Sequence, residues 1–295
     1  MKYNVIILIQ EIADQLKHIY EDVVEQQQVA WWLLQAVTQK TKVQLIAQET
    51  VDLTEIQEAT LKKWIQEHSQ DLKPLQYILG SVPFCNLEIL VEPPVLIPRP
   101  ETEEWCCELI EQLKQLPDKN IMILDLCSGS GCIALALAKA LPQATVIGTD
   151  ISEHALALAQ KNAQHNKLLN IKFLHSDIYD KIPQEYKFDL IVSNPPYIAP
   201  EEWQNLSPMV KKWEEKIALV ADDQGLTIIR KIIDNAHNWL RQNPALTSLK
   251  IPQLIIEIGY KQGQVVKSYM ENATFKNVQI KKDLSGKDRI VTGRL

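Results

Sequence analysis

The feature that most limits the possible folds is an alternation of strand-like and helix-like segments that begins near residue 121. Strand-like runs that are apolar along their length lie at 121–126, 144–149, 171–175, 188–193, 254–259, 277–282 and 289–293. Helical stretches such as 132–141 and 154–165 lie between the first of them. Continuously apolar strands joined by helices are typical of a parallel sheet that is covered on both faces. The sequence therefore predicts an α/β fold for this part of the chain.

The N-terminal part has a different pattern. Apolar residues recur there at helical spacing, no glycine precedes Gly80, and we expect helices throughout residues 1–75. Prolines interrupt the extended stretch that follows. We therefore expect a small helical bundle domain over residues 1–81, an extended or hairpin linker over 82–100, and the α/β domain over 101–295.

Charge and composition narrow the classes of function. The chain has 295 residues, 46% of them hydrophobic, and a formal net charge of −6. This charge argues against an affinity that rests on broad phosphate neutralisation, so we expect no direct nucleic-acid binding. Residues 1–90 hold seven basic and twelve acidic side chains, which form either a solvated acidic face or a docking surface for a basic partner.

Neither a membrane nor a metal is indicated. The apolar run Val5 to Ile9 is too short for the core of a signal peptide or for a membrane span, so a cytoplasmic protein is predicted. The five cysteines include no C-x-x-C pair and no Cys/His quartet. We expect no metal site and no disulfide framework, but buried thiols in a reducing compartment.

A glycine turn follows the first strand of the α/β part. Gly129 and Gly131 allow a tight turn and the close approach of a ligand to the backbone at the start of a helix. No Gly-Lys-Ser/Thr follows, and Ala134 replaces the third glycine of the dinucleotide fingerprint. Asp150, 19 residues after Gly131, ends the next strand, where an acid can hold the hydroxyls of a ribose. A nicotinamide dinucleotide and S-adenosylmethionine both remain open at this point.

Two further acids favour S-adenosylmethionine. Asp125 lies in the strand before the glycines, and Asp177 follows the third strand, where a carboxylate can meet an adenine amino group. The ordered set of a D-x-x-x-G-x-G turn, a strand-end acid and an acid after the third strand resembles the cofactor site of class I S-adenosylmethionine-dependent methyltransferases. That resemblance implies a Rossmann-like, mostly parallel sheet.

The fourth strand ends in Asn194-Pro195-Pro196-Tyr197. Two prolines remove N–H donors and leave carbonyl acceptors, to which the Asn194 side-chain oxygen is added. Such a pocket suits a planar –NH2 group, and the Tyr197 ring offers a flat surface for stacking. Two acceptors can orient a poorly nucleophilic amino nitrogen toward a sulfonium methyl without a strong base. The sequence therefore predicts methyl transfer to an amide or exocyclic amino nitrogen.

Longer segments narrow the substrate. The stretches 74–103, containing LIPRPETE, 257–263 (EIGYKQG) and 282–294 (KDLSGKDRIVTGR) resemble the HemK family of bacterial protein glutamine N5-methyltransferases. Among them the chain is most similar to members that modify the Gly-Gly-Gln glutamine of peptide-chain release factors. That resemblance implies a helical N-terminal domain that docks the release factor, and a monomer is expected.

The resemblance also implies the residues of the site. Those that would line the S-adenosylmethionine site are Cys127, Ser128, Gly129, Ser130, Gly131, Asp150, Asp177, Ile178 and Asn194. Asn194, Pro195, Pro196 and Tyr197 would hold the substrate glutamine, and Asn194, Pro195 and Tyr197 would be catalytic. The family usually has Gly-Thr where this chain has Cys127-Ser128, so Cys127 must adopt an allowed φ or strain the turn.

Three alternatives remain. Methylation of a ribosomal-protein glutamine is barely separated from release-factor methylation by these motifs. A nucleic-acid amino methyltransferase would need a base-flipping pocket and a basic surface. An interaction protein that only kept the fold is disfavoured by the intact Asn194–Tyr197 loop.

Overall fold

The computed structural model describes residues 1–295 and divides the chain into two compact units. The helical unit comprises Met1–Gly80 together with Ser207–Trp213. The sheet unit comprises Ser81–Leu206 and Glu214–Leu295. This division differs from the predicted one, because the segment 82–100 is part of the sheet unit and a short later segment belongs to the helical unit.

The helical unit is built mainly from amphipathic helices around its own apolar core. Its elements before residue 81 are β1 (Lys2–Asn4), α1 (Val5–Asp14), α2 (Val23–Thr38), α3 (Lys42–Gln48), β2 (Thr50–Asp52), α4 (Glu55–Ser69) and α5 (Leu75–Leu79). The helices α3 and α4 begin at capping boxes, in which Thr41 and Thr54 each exchange hydrogen bonds with a glutamine three residues later.

One expectation for this unit was wrong. Helices were predicted throughout residues 1–75, but β1 and β2 form a two-stranded antiparallel sheet. Each strand has only three residues, which is too short for an alternating pattern to stand out from the neighbouring helical periodicity.

The sheet unit begins with a hairpin and continues as alternating strands and helices. Its strands are β3 (Ser81–Phe84), β4 (Leu87–Leu90), β5 (Met122–Leu126), β6 (Thr145–Asp150), β7 (Ile171–His175), β8 (Leu190–Ser193), β9 (Leu254–Glu257), β10 (Lys276–Lys282) and β11 (Asp288–Arg294). The helices after residue 81 are α6 (Pro100–Leu113), α7 (Cys132–Ala140), α8 (Glu153–His165), α9 (Pro208–Trp213), α10 (Asp222–Gly225), α11 (Thr227–Trp239), α12 (Pro244–Ser248) and α13 (Gly263–Asn272), of which α9 belongs to the helical unit.

Seven of these strands form the main sheet in the order β10-β11-β9-β8-β5-β6-β7. The strands β7, β6, β5, β8 and β9 run parallel to one another, and β11 and β10 are added antiparallel at one edge. The predicted mostly parallel sheet is thereby confirmed. The chain moves outward from β5 through β6 to β7 and then returns to pair β8 on the other side of β5. This reversal places a crevice at the carboxyl ends of β5 and β8, where open α/β sheets bind ligands.

The core of the sheet unit explains why the strands are apolar without alternation. Leu124, Ile147, Ile191 and Ile256, from four neighbouring strands, are all almost completely buried within one cluster. Their chain neighbours Ile123, Val146 and Val192, which face the other side of the sheet, are also completely buried, so the central strands are covered on both faces. No helix of the chain is long and apolar enough to cross a membrane.

Candidate functional site

The turn after β5 connects the strand directly to α7. The N–H of Gly129 donates to Oδ2 of Asp150 at 2.8 Å, which ties the turn to the end of β6. Gly131 has a φ of +81°, and a Cβ at this position would lie 2.9 Å from the Phe173 ring. A glycine is therefore required here both by the backbone conformation and by the packing.

Cys127 stands where the family usually has a glycine. Its φ is +59°, in the left-handed region that favours glycine. The turn thus keeps its shape with a side chain in a strained conformation. Burial raises the pKa of the Cys127 thiol, which favours its neutral form.

Two aspartic acid side chains support this turn by accepting hydrogen bonds from backbone N–H groups. Asp150 accepts the Ser152 N–H at Oδ1 (2.9 Å) as well as the Gly129 N–H, and burial raises the pKa of its carboxyl group. Asp125 is completely buried: Oδ2 accepts the Ala134 N–H at 3.2 Å, whereas Oδ1 has no partner. Burial raises the Asp125 pKa to about 8.

A cavity of about 290 Å³ opens above the turn, at the carboxyl ends of β5, β6 and β8. Six of the nine residues predicted for the cofactor line it: Cys127, Gly129, Asp150, Asp177, Ile178 and Asn194. The other three lie behind the turn and support it. Ser128 Oγ donates to the Asp125 carbonyl at 2.9 Å, the Ser130 carbonyl accepts from Asn162 Nδ2 at 3.0 Å, and Gly131 caps α7.

The loop after β8 separates this cavity from a smaller one of about 30 Å³. Pro195 and Tyr197 line only the smaller cavity, whereas Asn194 and Pro196 line both. The smaller volume has room for about two water molecules, which is the size of a terminal amide group. Asn194 and Pro196 therefore lie between the two cavities, and Pro195 and Tyr197 lie at the smaller one.

A hydrogen-bond chain fixes the orientation of the Asn194 amide. The Thr102 hydroxyl donates to Oε2 of Glu257 at 2.7 Å, so its oxygen is left to accept the Asn194 Nδ2 hydrogen at 3.1 Å. The Asn194 Oδ1 atom, at the other end of the amide, is therefore the acceptor left at the boundary of the cavities.

The same buried carboxylate also holds the tyrosine of the loop. Glu257 accepts from Tyr197 Oη at 3.2 Å and from Trp105 Nε1 at 2.8 Å. Burial raises the pKa of the Glu257 carboxyl group, while the three donors around it stabilise the ionised form. One side chain of β9 thus fixes both ends of the Asn194–Tyr197 loop.

A partly buried ion pair lies on the same side of the site. Arg99 Nη2 lies 2.8 Å and 2.6 Å from the two carboxylate oxygens of Glu214, whose side chain is 1% exposed. Arg99 lines the smaller cavity and precedes α6.

Sequence reasoning did not assign roles to Thr102, Glu257, Trp105 or the Arg99–Glu214 pair. The one sequence signal for them was the resemblance of LIPRPETE and EIGYKQG to family segments, since these stretches contain Arg99, Thr102 and Glu257. Their function depends on contacts between residues far apart in the chain, 155 positions for Thr102 and Glu257.

Comparison with known proteins gives a consistent result over both units. Residues 117–282 match a family model described as a methyltransferase domain, and residues 8–80 match one described as the PrmC N-terminal domain.

Two relatives carry the same name. The chain is 42% identical over 238 residues to the release factor glutamine methyltransferase of Lactococcus lactis. The alignment covers 80% of this chain and 83% of the relative. It is 39% identical over 263 residues to the release factor glutamine methyltransferase of Flavobacterium psychrophilum. That alignment covers 88% of this chain and 88% of the relative. Among solved structures, the hMettl16 catalytic domain in complex with a hairpin of the MAT2A 3'UTR aligns with a TM-score of 0.53, at 14% identity over 83% of each chain. This last similarity concerns the fold alone.

Proposed function

The chain belongs to the release factor glutamine methyltransferases, and from that premise we propose that it methylates the side-chain amide nitrogen (N5) of the glutamine in the Gly-Gly-Gln motif of peptide-chain release factors. It is an S-adenosylmethionine-dependent enzyme. Its sheet unit contains the cavity proposed for the cofactor and the loop that would bind the glutamine.

The residues around the larger cavity fit S-adenosylmethionine. Each Asp150 oxygen takes one backbone N–H and keeps a lone pair for a ribose hydroxyl. Gly129 leaves the turn open to a ligand, since nothing lies within 4 Å of the place where a Cβ would be. Asp177 and Ile178 would border the adenine, and Asn194 would border the methyl group. The cofactor supplies an electrophilic methyl on a sulfonium.

The loop residues would grip and orient the amide nitrogen. Asn194 Oδ1 and the Pro195 carbonyl would accept the two hydrogens of the substrate –NH2. An amide nitrogen is a weak nucleophile, so alignment and stabilisation of the developing positive charge replace a strong base. The Tyr197 ring, held through its hydroxyl by Glu257, would stack on the amide plane.

The observation that carries this proposal is the position of Asn194 and Pro196 on both cavities. Leu96 and Ala218 also line both cavities, and these four residues lie between the two spaces. This arrangement suits the transfer of a small group to an amide that enters from the opposite side.

We infer that the helical unit docks the release factor. Supporting this, the unit exposes apolar side chains, among them Val24, Val43 and Ile56, each more than 70% exposed. Residues 1–90 are also strongly acidic, which favours a basic partner surface.

A labelling experiment tests the proposal. The protein is incubated with S-adenosylmethionine labelled in the methyl group and, in separate reactions, purified release factor, release factor with its Gly-Gly-Gln glutamine changed to alanine, ribosomal protein and DNA. We expect label only on the unchanged release factor, at that glutamine by mass spectrometry. Label on the ribosomal protein or DNA alone would contradict the proposed substrate, and the Asn194→Ala variant controls for contaminating activity.

A further inference from the structure

A pair of cysteines lies outside the methyl-transfer site. Cys85 and Asn86 form the two-residue turn of the β3–β4 hairpin, both with positive φ (44° and 62°), where asparagine and glycine are usual. The Cys85 N–H donates to Oε1 of Glu103 on α6 at 2.7 Å. Cys107, one helical turn beyond Glu103, places its Sγ 2.7 Å from the Cys85 Sγ.

The distance between the sulfurs discriminates between two uses of such a pair. Two thiolates on one tetrahedral zinc, each about 2.3 Å from the metal, lie roughly 3.8 Å apart. A disulfide brings the sulfurs to about 2.05 Å. Glu103 supplies only a third ligand atom within 4.8 Å, one fewer than a closed tetrahedral zinc site has, whereas the two sulfurs at 2.7 Å are already in direct contact.

The chemical environment distinguishes Cys85 from the other four thiols. Hydrogen bonding to Cys106 lowers the pKa of Cys85 most, burial opposes this, and hydrogen bonding to Cys107 adds to the lowering. Burial raises the pKa of Cys107 to about 12, and the pKa values of the other three thiols are raised as well. Cys85 and Cys107 are both partly exposed, while Cys106 is buried. A small oxidant can therefore reach the thiol that ionises most readily.

We propose that Cys85 and Cys107 form a reversible redox-modification site, in which a hydroperoxide oxidises Cys85 and Cys107 resolves the product as an intramolecular disulfide. The Cys85 thiolate attacks the terminal peroxide oxygen, the O–O bond breaks, and a sulfenic acid forms as hydroxide or alkoxide leaves. The Cys107 sulfur then attacks the Cys85 sulfur and displaces hydroxide. With hydrogen peroxide, two thiols and one peroxide give one disulfide and two waters. A dithiol reductant reverses the modification by thiol–disulfide exchange.

The bond has two consequences. It ties the hairpin turn to α6, the helix that carries Thr102 and Trp105 of the chain that orients the substrate loop. It also protects Cys85 from irreversible oxidation to the sulfinic acid.

The full-length protein tests this proposal. After exposure to hydrogen peroxide at low excess, we expect a loss of 2 Da and, in a non-reducing digest, a peptide linked between Cys85 and Cys107. We also expect the melting temperature to rise by about 5 °C and to return after dithiothreitol. Fragmentation between Cys106 and Cys107 identifies the partner.

Matched variants separate the two neighbouring thiols. Cys106→Ala should still form the link, whereas Cys107→Ala should not, and it should gain 32 Da at Cys85 at least tenfold faster than the unchanged protein. A link that persists in Cys107→Ala would overturn the assignment. So would sulfinic acid without any link in the unchanged protein, or tight binding of added zinc that prevents oxidation in the unchanged protein but not in Glu103→Gln.

Discussion

Asn194 shows how the hydrogen bonds of residues outside its loop can orient one amide group. A free asparagine presents its oxygen and its nitrogen with nearly equal ease, and the two ends have opposite hydrogen-bonding roles. Here the Thr102 hydroxyl has one hydrogen, which goes to the Glu257 carboxylate. Its oxygen can then only accept, so the nitrogen of Asn194 turns toward Thr102 and the oxygen toward the cavities.

Replacement of Asn194 tests its proposed contact with the substrate. We expect Asn194→Ala to lower kcat by about 10²–10³, the scale for loss of one transition-state hydrogen bond. Asn194→Asp should lie between alanine and the unchanged protein, because aspartate still accepts from the –NH2 but adds a charge. Cofactor affinity should change less than rate. Single-turnover methylation and thermal melts measured together check this, and an alanine variant that melts early yet reacts normally would exclude the contact.

Thr102 tests the orientation itself. We expect Thr102→Val, which keeps the shape but loses the hydroxyl, to lower kcat about tenfold, because the Asn194 amide is no longer held in one orientation by a hydrogen bond of about 1 kcal/mol. Thr102→Ser restores the hydroxyl and should recover most of the rate. The KM for S-adenosylmethionine should stay within about twofold in both variants. Equal rates for valine and serine would show that the hydroxyl does not direct the amide.

The backbone conformation of Cys127 lowers the stability of the folded protein by a measurable amount. A residue with a side chain at its φ of +59° is less stable there by about 1–2 kcal/mol, whereas glycine is not. Both Cys127→Gly and Cys127→Ala remove the thiol, so their difference isolates the backbone. After allowance for the greater flexibility of unfolded glycine, we expect the glycine variant to be more stable than the alanine variant by about 1 kcal/mol in urea unfolding. An alanine variant of equal or greater stability would contradict this.

Asp125 predicts a dependence of stability on pH. Its folded pKa of about 8 lies above the ordinary value of 3.8, so the folded state binds the proton more tightly. This contribution is complete below pH 4 and is lost as the pH rises toward 8. We expect Asp125→Asn, which can keep the Ala134 hydrogen bond, to gain stability relative to the unchanged protein between pH 5 and pH 8. Thermal melts across this range check the difference, and parallel profiles would show that Asp125 is not protonated in the fold.

At the scale of elements, the sequence predicted most of the sheet because its strands carry a strong local signal. The seven apolar runs correspond to β5–β11, and the residues that follow β5, β6 and β8 meet at one edge because parallel strands end together. The positions of Asp150 and Asn194 at the cavity were therefore predictable, since each stands at the end of a parallel strand.

The rest depended on contacts that no local pattern reports. Thr102 reads as an ordinary residue in the first turn of a helix, and Glu257 as an unexplained acid in a buried strand. Their roles arise only when α6 and β9 pack together and bring a hydroxyl to a carboxylate. The cysteine pair is similar, because residues 22 positions apart in a turn and a helix produce no recognised spacing.

At the scale of the whole molecule, the chain leaves the sheet unit after Leu206 and re-enters it at Glu214. Within the helical unit, the Asp71 carbonyl accepts from Lys212 Nζ at 2.8 Å and from Trp213 Nε1 at 3.1 Å. Within the sheet unit, Glu214 pairs with Arg99 and begins the segment whose residues Glu215, Ile217 and Ala218 line the larger cavity. Consecutive residues are thus held by partners in different units, so two proposed roles of the helical unit have to be separated: docking of the release factor and restraint of the segment 207–213.

Removal of residues 1–80 separates the roles. Each unit has its own apolar core, and every residue that lines the cofactor cavity lies in the sheet unit, so a chain that begins at Ser81 should keep its affinity for S-adenosylmethionine. Its kcat/KM on intact release factor should fall more than about tenfold, because docking energy no longer orients the distant glutamine, whereas a short Gly-Gly-Gln peptide should react almost as before.

Trp213→Phe in the full-length chain is the control, because it loses the bond to Asp71 but keeps the docking unit. We expect it to retain release-factor activity within about twofold. Calorimetry, thermal melts and steady-state rates on both substrates give the comparison. If the truncated, folded chain methylates release factor as fast as the full-length protein, the helical unit does not dock the substrate. If Trp213→Phe loses as much activity as the truncation does, restraint of the segment 207–213 accounts for the loss instead.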